Sequence, residues 1–441
     1  MFARYRLPIA ILVLFLWTAT SSYGQTSGQE TWKAGFQTTY IWQGKAGFPA
    51  RYSGTNSLTP DPEPSYSLTA TVMGGLRLWP GGEVYLNIET ARGLALSGLL
   101  GLGGFTNGEM ARTTGPTFRV YMARLFLRQT IPLNDVPLPV DSDVNQLADT
   151  TATHRLVVTA GNLAALDIFD DNIYSHDPRT QFMNWSLMTH GAYDYAADAR
   201  GYSWGLALEW YHDDWVLRLG RFIQPYEPNQ QALDPDIMKH YGDQLEVGHS
   251  HTIDGRPGAV RVLAFRNRAI MARYQDALDL AAKTGEPPDI GKVRTTEQIK
   301  FGFGLNIEQA VADDIGVFLR ASWADGKTET YAFTEIDRSI SAGARIKGTS
   351  WGRAEDELFV GIVGNALSQE RRDYLARGGI SFFIGDGALD YRPETIVELL
   401  YTLRIMKWAS LSIDWQHISN PAYNADRGPV DLGAIRLHVE L

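Results

Sequence analysis

The feature that most constrains this fold is a period-two alternation of apolar and polar residues that recurs along the chain. In the final stretch, Ile435, Leu437 and Val439 alternate with Arg436 and His438. Successive side chains of an extended strand point to opposite faces, so this stretch is predicted to be a strand with one apolar and one polar face. Such a strand separates two different environments, and the rest of the chain must supply its partners.

The same alternation recurs in pairs of predicted strands joined by short turns. The stretch YSLTATVMGGLRLWPGGEVYLNIETA reverses at Pro80-Gly81-Gly82, and further pairs reverse at Asp213-Asp214, at Asp313-Asp314 and within Met406 to Ala409. Each strand has roughly nine to eleven residues, which is the length that crosses a bilayer when the strand is tilted. Tryptophans at the ends of the apolar faces suit an aromatic girdle at the lipid headgroups. They are Trp204, Trp210, Trp215, Trp323 and Trp415.

Long polar connections follow the opposite ends of the predicted strands. Short turns at one end and long loops at the other are typical of outer-membrane barrels, whose turns are periplasmic and whose loops are external. We therefore expect these connections to be external loops, with a short helix within Ala272 to Pro288, where apolar residues recur at i, i+4. The loops are Gly44 to Pro64, Ile131 to Thr153, Ala165 to Arg200, Arg266 to Gln298 and Ala324 to Arg338.

Composition and the N-terminus exclude several classes of protein. The 441 residues carry a formal net charge of -10, whereas nucleic-acid surfaces need clustered Lys and Arg, so no nucleic-acid partner is expected. The absence of cysteine excludes disulfides, Cys-based zinc sites and thiol nucleophiles. Arg4 and Arg6 precede an apolar run from Pro8 to Trp17, with small and polar residues up to Gly24. Residues 1–24 are thus predicted to be a secretory signal peptide, and residues 25–441 a single domain.

Closure of the sheet follows from the lipid environment. In lipid every backbone polar group must be hydrogen-bonded internally, so a sheet can span only when it has no free edge. The final strand must therefore pair with the first, and Trp32 to Trp42 is its predicted partner. The sequence predicts an all-β protein: a closed antiparallel transmembrane barrel, apolar outside and polar inside.

Three segments carry a resemblance to a known family: Asn420 to Leu441, Gly161 to Leu187 and Gly201 to Tyr211. They resemble the carbohydrate-selective porins of Gram-negative outer membranes, the OprB type, from about Trp32 to the end of the chain. The resemblance implies a barrel of about 16 strands, with external loops folded inward to narrow a passive channel for small sugars, and with no cofactor. Its most specific motif comprises Asn420, Pro421, Tyr423, Arg427, Gly428 and Pro429 in that order.

A sugar channel needs polar groups that hydrogen-bond to hydroxyls and aromatic surfaces for the C–H faces. The expected partners are mono- or small oligosaccharides and outer-membrane lipid, while association of barrels with one another stays open. In the loop stretch DIFDDN, Asp167, Asp170 and Asn172 are predicted to reach the constriction. On the strands, the alternative is that lumen charges pair with one another and brace the wall. The candidates there are Arg77, Glu89, Arg124, Glu209, Arg218, Arg320 and Arg404.

Two patterns raise the question of a metal site. The oxygens of DIFDDN suit calcium, but the stretch lacks the glycine and final Glu of an EF-hand, so a pore loop or a solvated loop is the preferred interpretation. His249 and His251 share one strand face, yet a third ligand is not evident. No metal ligand is therefore predicted.

An enzyme is the rival class of function. Some outer-membrane barrels are hydrolases, here of glycans or lipids, and Glu246 with Asp254, or Glu355 with Glu357, could serve glycoside hydrolysis. No nucleophile elbow or Ser-His-Asp order in a confirming context supports this. A structural or adhesive barrel is a third option that the varied, aromatic loops do not require. The sequence therefore predicts a porin and not an enzyme.

Overall fold

A computed structural model describes residues 29–110, 115–333 and 335–441. The predicted signal peptide lies outside the described residues. Within them the strands are β1 (Trp32–Lys45), β2 (Glu63–Trp79), β3 (Gly82–Leu94), β4 (Arg119–Pro132), β5 (Pro137–Val140), β6 (Asp149–Ala152), β7 (Arg155–Leu163), β8 (Ser203–His212), β9 (Trp215–Ile223), β10 (Tyr241–Ile253), β11 (Arg256–Ile270), β12 (Glu297–Ala312), β13 (Ile315–Ala324), β14 (Arg338–Gly348), β15 (Arg353–Ala366), β16 (Glu394–Met406), β17 (Ala409–Ser419) and β18 (Val430–Glu440).

Three short helices accompany the strands: α1 (Trp185–Met188), α2 (Tyr274–Thr284) and α3 (Gln369–Ala376). The helix predicted within Ala272 to Pro288 is confirmed as α2, and Gly285 ends it in the left-handed conformation at φ 74°. Among the described residues, no helix is both long enough and apolar enough to cross a membrane.

Sixteen of the strands form one closed antiparallel barrel. Each pairs with its neighbour along the chain, except that β4 pairs with β7 because β5 and β6 form a separate two-stranded hairpin. The barrel closes between β1 and β18, where Gln37 lies opposite Glu440 and Lys45 lies opposite Leu432. The predicted barrel, its 16 strands and its closing pair are all confirmed.

The two faces of the barrel strands differ as the alternation predicts. Leu206 and Leu437 are 45% and 43% exposed on the outer surface, whereas Arg218 and Arg320 are 9% and 1% exposed on the inner side. The outside of the barrel is therefore an apolar surface, and the charged residues of the strands face inward.

The ends of the barrel are unequal. Turns of two to four residues join β2 to β3, β8 to β9, β10 to β11, β12 to β13, β14 to β15 and β16 to β17, all at one end, here called the turn end. Longer connections, including those that hold α1, α2 and α3, lie at the opposite end, here called the loop end.

The prediction that Ile131 to Thr153 forms an external loop is wrong. Strand β3 ends at the loop end and β4 runs back, so the connection of residues 133–154, here called the turn-end segment, lies among the short turns. It contains the β5–β6 hairpin, and its Leu147 is buried, with its N–H donating to Tyr85 Oη at 3.0 Å. Length and polarity do not reveal the end at which a connection lies, because that depends on the number of strands before it.

Two connections from the loop end fold into the barrel. They are the first inner loop (residues 95–110) and the second inner loop (residues 164–202), and most of their residues are buried. Phe105, Phe169 and Trp185 of these loops form one hydrophobic cluster with the wall residue Phe265. The core of this protein thus lies inside the barrel, between loops and wall.

Candidate functional site

The second inner loop is fixed to the barrel wall through Asp170. This carboxylate is fully buried and accepts a hydrogen bond from Nε of Arg320 at 2.9 Å and from Oγ1 of Thr189 at 2.8 Å. Arg320 also donates to the carbonyl oxygens of Ser175 at 2.7 Å and Leu187 at 3.0 Å. Burial alone would raise the pKa of Asp170, but the Arg320 guanidinium, His190 and the hydrogen bonds from Thr189 and from the His190 N–H together outweigh it and hold the pKa well below its usual range.

Asn172 and Glu89 make similar contacts. Asn172 donates from Nδ2 to Asn306 Oδ1 of β12 at 2.7 Å. Glu89 of β3 accepts from Nη2 of Arg179 in the second inner loop at 2.8 Å and from Thr71 Oγ1 at 2.7 Å. The structure therefore places Asp170, Asn172, Glu89 and Arg320 in the contact between loop and wall, and we call these four the anchor residues.

Sequence reasoning missed two further wall residues that hold the same loop. Glu398 of β16 accepts from the backbone N–H groups of Met183 at 2.6 Å and Asn184 at 3.0 Å. Arg436 of β18 donates to the carbonyl oxygens of Pro178 and Gln181 at 2.8 and 2.6 Å. The available signal was their place on the polar faces of their strands, since Arg436 lies among the alternating residues of the last strand.

A second group of predicted residues lines a cavity at the turn end. This turn-end cavity has a volume of about 310 Å³, and Asp167, Glu209 and Arg218 contribute to its wall. The turn-end segment closes part of its rim through residues that include Val140 and Asp149. Its volume is at the lower end of the 300–1,000 Å³ that small-molecule sites span.

Charged and aromatic groups meet within the turn-end cavity. Tyr211 donates from Oη to Glu209 at 2.7 Å, and Arg218 donates from Nε to the same carboxylate at 3.0 Å. The guanidinium of Arg155 lies 3.8 Å from the centroid of the Tyr211 ring. A carboxylate, guanidinium groups and an aromatic ring are thus available to one small solute.

The remaining predicted residues occupy other positions. Arg124 donates to both oxygens of Asp167 at 2.7 and 2.6 Å. Burial raises the pKa of Asp167, but Arg124 outweighs it and lowers the pKa. Arg77 bridges Glu83 at 3.1 Å and Asp149 at 2.7 Å, so it holds the turn-end segment to β2 and β3.

Arg404 is the exception among the predicted strand residues. It lies near the turn end of β16, on the same side of the strand as the buried Thr402, and its side chain forms no ion pair with any described residue. It therefore belongs to neither the anchor residues nor the turn-end cavity.

Arg128, Arg155 and Tyr211 are among the residues of the turn-end cavity that sequence reasoning missed. Two of them had a usable signal, because Arg128 follows Arg124 by four positions and Tyr211 follows Glu209 by two, which places them on the same inward faces. Arg155 begins its strand, so the alternation around it is short.

The carboxylate pairs of the hydrolase alternative are not arranged as pairs. Glu246 is buried and accepts from Arg218 at 2.6 Å, whereas Asp254 lies beyond the end of β10 in the turn. Glu357 pairs with Arg345 at 3.6 Å, and Glu355 is exposed. Neither pair brings two carboxylates to one cavity.

Comparison with known proteins identifies the family and the fold. The sequence model described as carbohydrate-selective porin, OprB family, matches residues 68–441. The high-pH structure of Pseudomonas putida OprB aligns with a TM-score of 0.70 at 16% identity, covering 93% of this chain and 94% of that chain. The low-pH structure of the same protein aligns with a TM-score of 0.51 at 13% identity, covering 93% of each chain. At these identities the alignments show the barrel fold alone. Among curated protein sequences none matches this chain.

Proposed function

This chain belongs to the carbohydrate-selective porin family of the OprB type, and from that premise we propose that sugars cross it by way of the turn-end cavity. The protein is an outer-membrane channel for carbohydrates and not an enzyme. The observation that carries this function is the match of the family's sequence model over residues 68–441, on a chain folded as a closed barrel of 16 strands.

The route through the turn-end cavity is supported by the different surroundings of the two groups of lumen residues, since one group is held between loop and wall and the other borders a cavity. The hydrogen-bonding groups of the anchor residues are occupied in the contact between the second inner loop and the wall, so they are not available to a solute. Asp167, Glu209 and Arg218 instead line a space of about 310 Å³. The sugar-contacting groups of the proposal are therefore Glu209, Arg218 and the neighbouring Arg155 and Tyr211.

The chemistry of these side chains suits a neutral, hydroxyl-rich solute. The carboxylate of Glu209 accepts hydrogen bonds from hydroxyls, and the guanidinium groups of Arg155 and Arg218 donate them. The Tyr211 ring offers an apolar face to C–H groups. Because these groups already pair with one another, a passing sugar exchanges one hydrogen bond for another and is held weakly, as conduction requires.

Membrane contact and export complete the proposal. The apolar outer surface, with Leu206 and Leu437 among its exposed residues, would contact outer-membrane lipid. Residues 1–24 would direct export and be removed, which leaves residues 25–441 as the barrel domain.

The test is a swelling assay on liposomes that contain the purified protein. We expect fast entry of a hexose and slower entry of a zwitterionic amino acid of similar size, because the channel is selective for carbohydrate. Chromatography of the same samples should show the sugars uncleaved. Equal entry rates for the two solutes would contradict selectivity, and sugar cleavage without swelling would contradict the channel itself.

A further inference from the structure

A cluster of metal-ligating side chains lies at the turn end, outside the barrel lumen. Arg155 of β7 pairs with Tyr211 of β8, so the preceding His154 lies opposite His212 in the same antiparallel register. Asp213 follows His212 and begins the β8–β9 turn with a φ of 52°. Directly opposed residues have their Cβ atoms about 4.5–5.5 Å apart, which brings the two imidazoles together on one face.

The ligand atoms of this cluster are spaced as a metal requires. Nε2 of His154 lies 3.0 Å from Nδ1 of His212 and 2.8 Å from Oδ1 of Asp213, and Nδ1 of His212 lies 3.4 Å from Oδ2 of Asp213. Bonds of about 2.0–2.1 Å in a tetrahedral zinc site place neighbouring ligand atoms ~3.3 Å apart. The three separations lie within about 0.5 Å of that value, with a vertex left for water.

We propose that His154, His212 and Asp213 form a binding site for a divalent transition-metal cation such as Zn²⁺, independent of sugar passage. Imidazole nitrogen and carboxylate oxygen are the ligands this class of cation prefers. The three side chains are 29%, 51% and 65% exposed, so a cation reaches them without a change in the barrel.

Hydrogen bonding alone satisfies this cluster poorly. A neutral imidazole carries one N–H, so when Nε2 of His154 donates to Asp213, it shares that proton between the carboxylate and the facing nitrogen of His212. A cation bound between them accepts the lone pairs of both nitrogens at once. Among the described residues, this is the one group of at least three His, Cys, Asp or Glu side chains with metal-binding spacing.

The chain carries a second histidine pair that serves as an internal control. His249 and His251 lie on the same strand with ring centroids 6.1 Å apart. The ring of His249 packs against Trp215 rather than beside a carboxylate. They match the first pair in residue type and in position near the turn end, but no described residue supplies a third ligand.

A bound cation would also join two parts of the turn end. His154 closes the turn-end segment: its N–H donates to Asn134 Oδ1 at 3.2 Å, and its carbonyl oxygen accepts from the N–H of Leu133 at 2.8 Å. His212 and Asp213 belong to the β8–β9 hairpin. The metal would therefore cross-link the base of the turn-end segment to the adjacent hairpin.

The experiment is a Zn²⁺ titration by calorimetry of the untagged, chelator-treated protein in detergent, with folding of each variant checked by its heat-modifiable migration on gels. We expect one equivalent to bind to the unchanged chain. His154→Gln and His212→Gln should bind at least about tenfold more weakly, since loss of an outer-shell partner alone costs 10–100-fold. The double variant His249→Gln/His251→Gln should bind as the unchanged chain does.

Asp213→Asn supplies a variant that keeps the turn, because Asn adopts a positive φ readily. It should weaken Zn²⁺ binding and alter the visible spectrum of bound Co²⁺. The proposal is overturned when the unchanged chain binds no stoichiometric Zn²⁺, when the His154, His212 and Asp213 variants bind as tightly as the unchanged chain, or when only the His249/His251 variant loses binding.

Discussion

The contact around Asp170 and the turn-end cavity around Tyr211 use the same residue types in different surroundings. At Asp170 the carboxylate and its Arg320 partner are 0% and 1% exposed and lie between loop and wall. At Tyr211 the guanidinium and carboxylate groups border a space of about 310 Å³. A charge on the lumen face of a strand is therefore insufficient to mark a solute contact, because the inner loops decide which charges meet the solute.

The difference has energetic consequences. Removing one partner of a buried ion pair leaves the other charge buried without compensation. A charge that borders a cavity can instead be solvated when its partner is lost. Substitutions at the anchor residues should thus change stability and loop position, and substitutions in the turn-end cavity should change sugar passage at nearly constant stability.

The largest expected effect comes from Arg320→Met. The change removes the guanidinium that compensates the buried Asp170 carboxylate, so we expect the free energy of unfolding to fall by about 3–5 kcal/mol. We also expect a larger and noisier single-channel conductance, because the second inner loop loses its hydrogen bonds to the wall. Denaturant unfolding in detergent and planar-bilayer recording measure the two quantities.

Arg404→Met is the matched control for this substitution. It removes the same type of charge from the inward side of a strand, but Arg404 has no ion-pair partner among the described residues. Its unfolding free energy should stay within about 0.5 kcal/mol of the unchanged chain. Equal losses in the two variants would remove the distinction between anchor residues and other lumen charges.

A second prediction concerns pH and His190, which lies beside Asp170 in the second inner loop. Burial lowers the pKa of His190 to about 4, and Arg320 adds to this while Asp170 opposes it. The unfolded chain takes up this proton near its ordinary pKa of 6.5, so between about pH 6.5 and 4 the unfolded state binds more protons than the folded state. The free energy of unfolding should then fall by about 3 kcal/mol as the pH is lowered through that window.

His190→Gln tests the assignment. The variant should lose most of the pH dependence between pH 6.5 and 4, while its turn-end cavity and sugar passage stay unchanged at neutral pH. Denaturant titrations at several pH values measure the dependence, with His251→Gln as the control that keeps it. A pH profile unchanged by His190→Gln would show that other groups cause the loss.

The barrel could be predicted from sequence because the alternation of apolar and polar residues that produces it is local to each strand. Alternation along each strand indicates which side meets lipid, so it predicts the correct faces for residues such as Leu437 and Arg218. The roles of the inward residues depend on the inner loops, which are distant in sequence from the wall they contact. Asp170 meets Arg320, and alternation carries no information on that pairing. The turn-end segment was placed at the wrong end for a related reason, since its position depends on strand count.

The third prediction addresses the turn-end cavity itself. Arg155→Ala removes a hydrogen-bonding group that the proposal assigns to the sugar, and Tyr211→Phe removes the hydroxyl that holds the Glu209 acceptor in place. One hydrogen bond contributes about 1 kcal/mol, so the apparent affinity for a hexose, measured by sugar block of ion current, should weaken about fivefold. The free energy of unfolding should change little. A large loss of stability without a change in sugar block would place these residues with the anchor residues instead.

The smallest expected effect is at the rim of the turn-end cavity, where Arg77 holds Asp149 of the turn-end segment at 2.7 Å. The pair is partly exposed, so Asp149→Asn should lower the free energy of unfolding by no more than about 1 kcal/mol. Because Asp149 also borders the cavity, a loosened segment should admit a disaccharide faster while the hexose rate changes less, in the same swelling assay. Asp135→Asn, in the same segment, is the control. If both variants behaved as the unchanged chain, the turn-end segment would be a peripheral hairpin, and the width of the cavity would be determined by the barrel wall and the second inner loop alone.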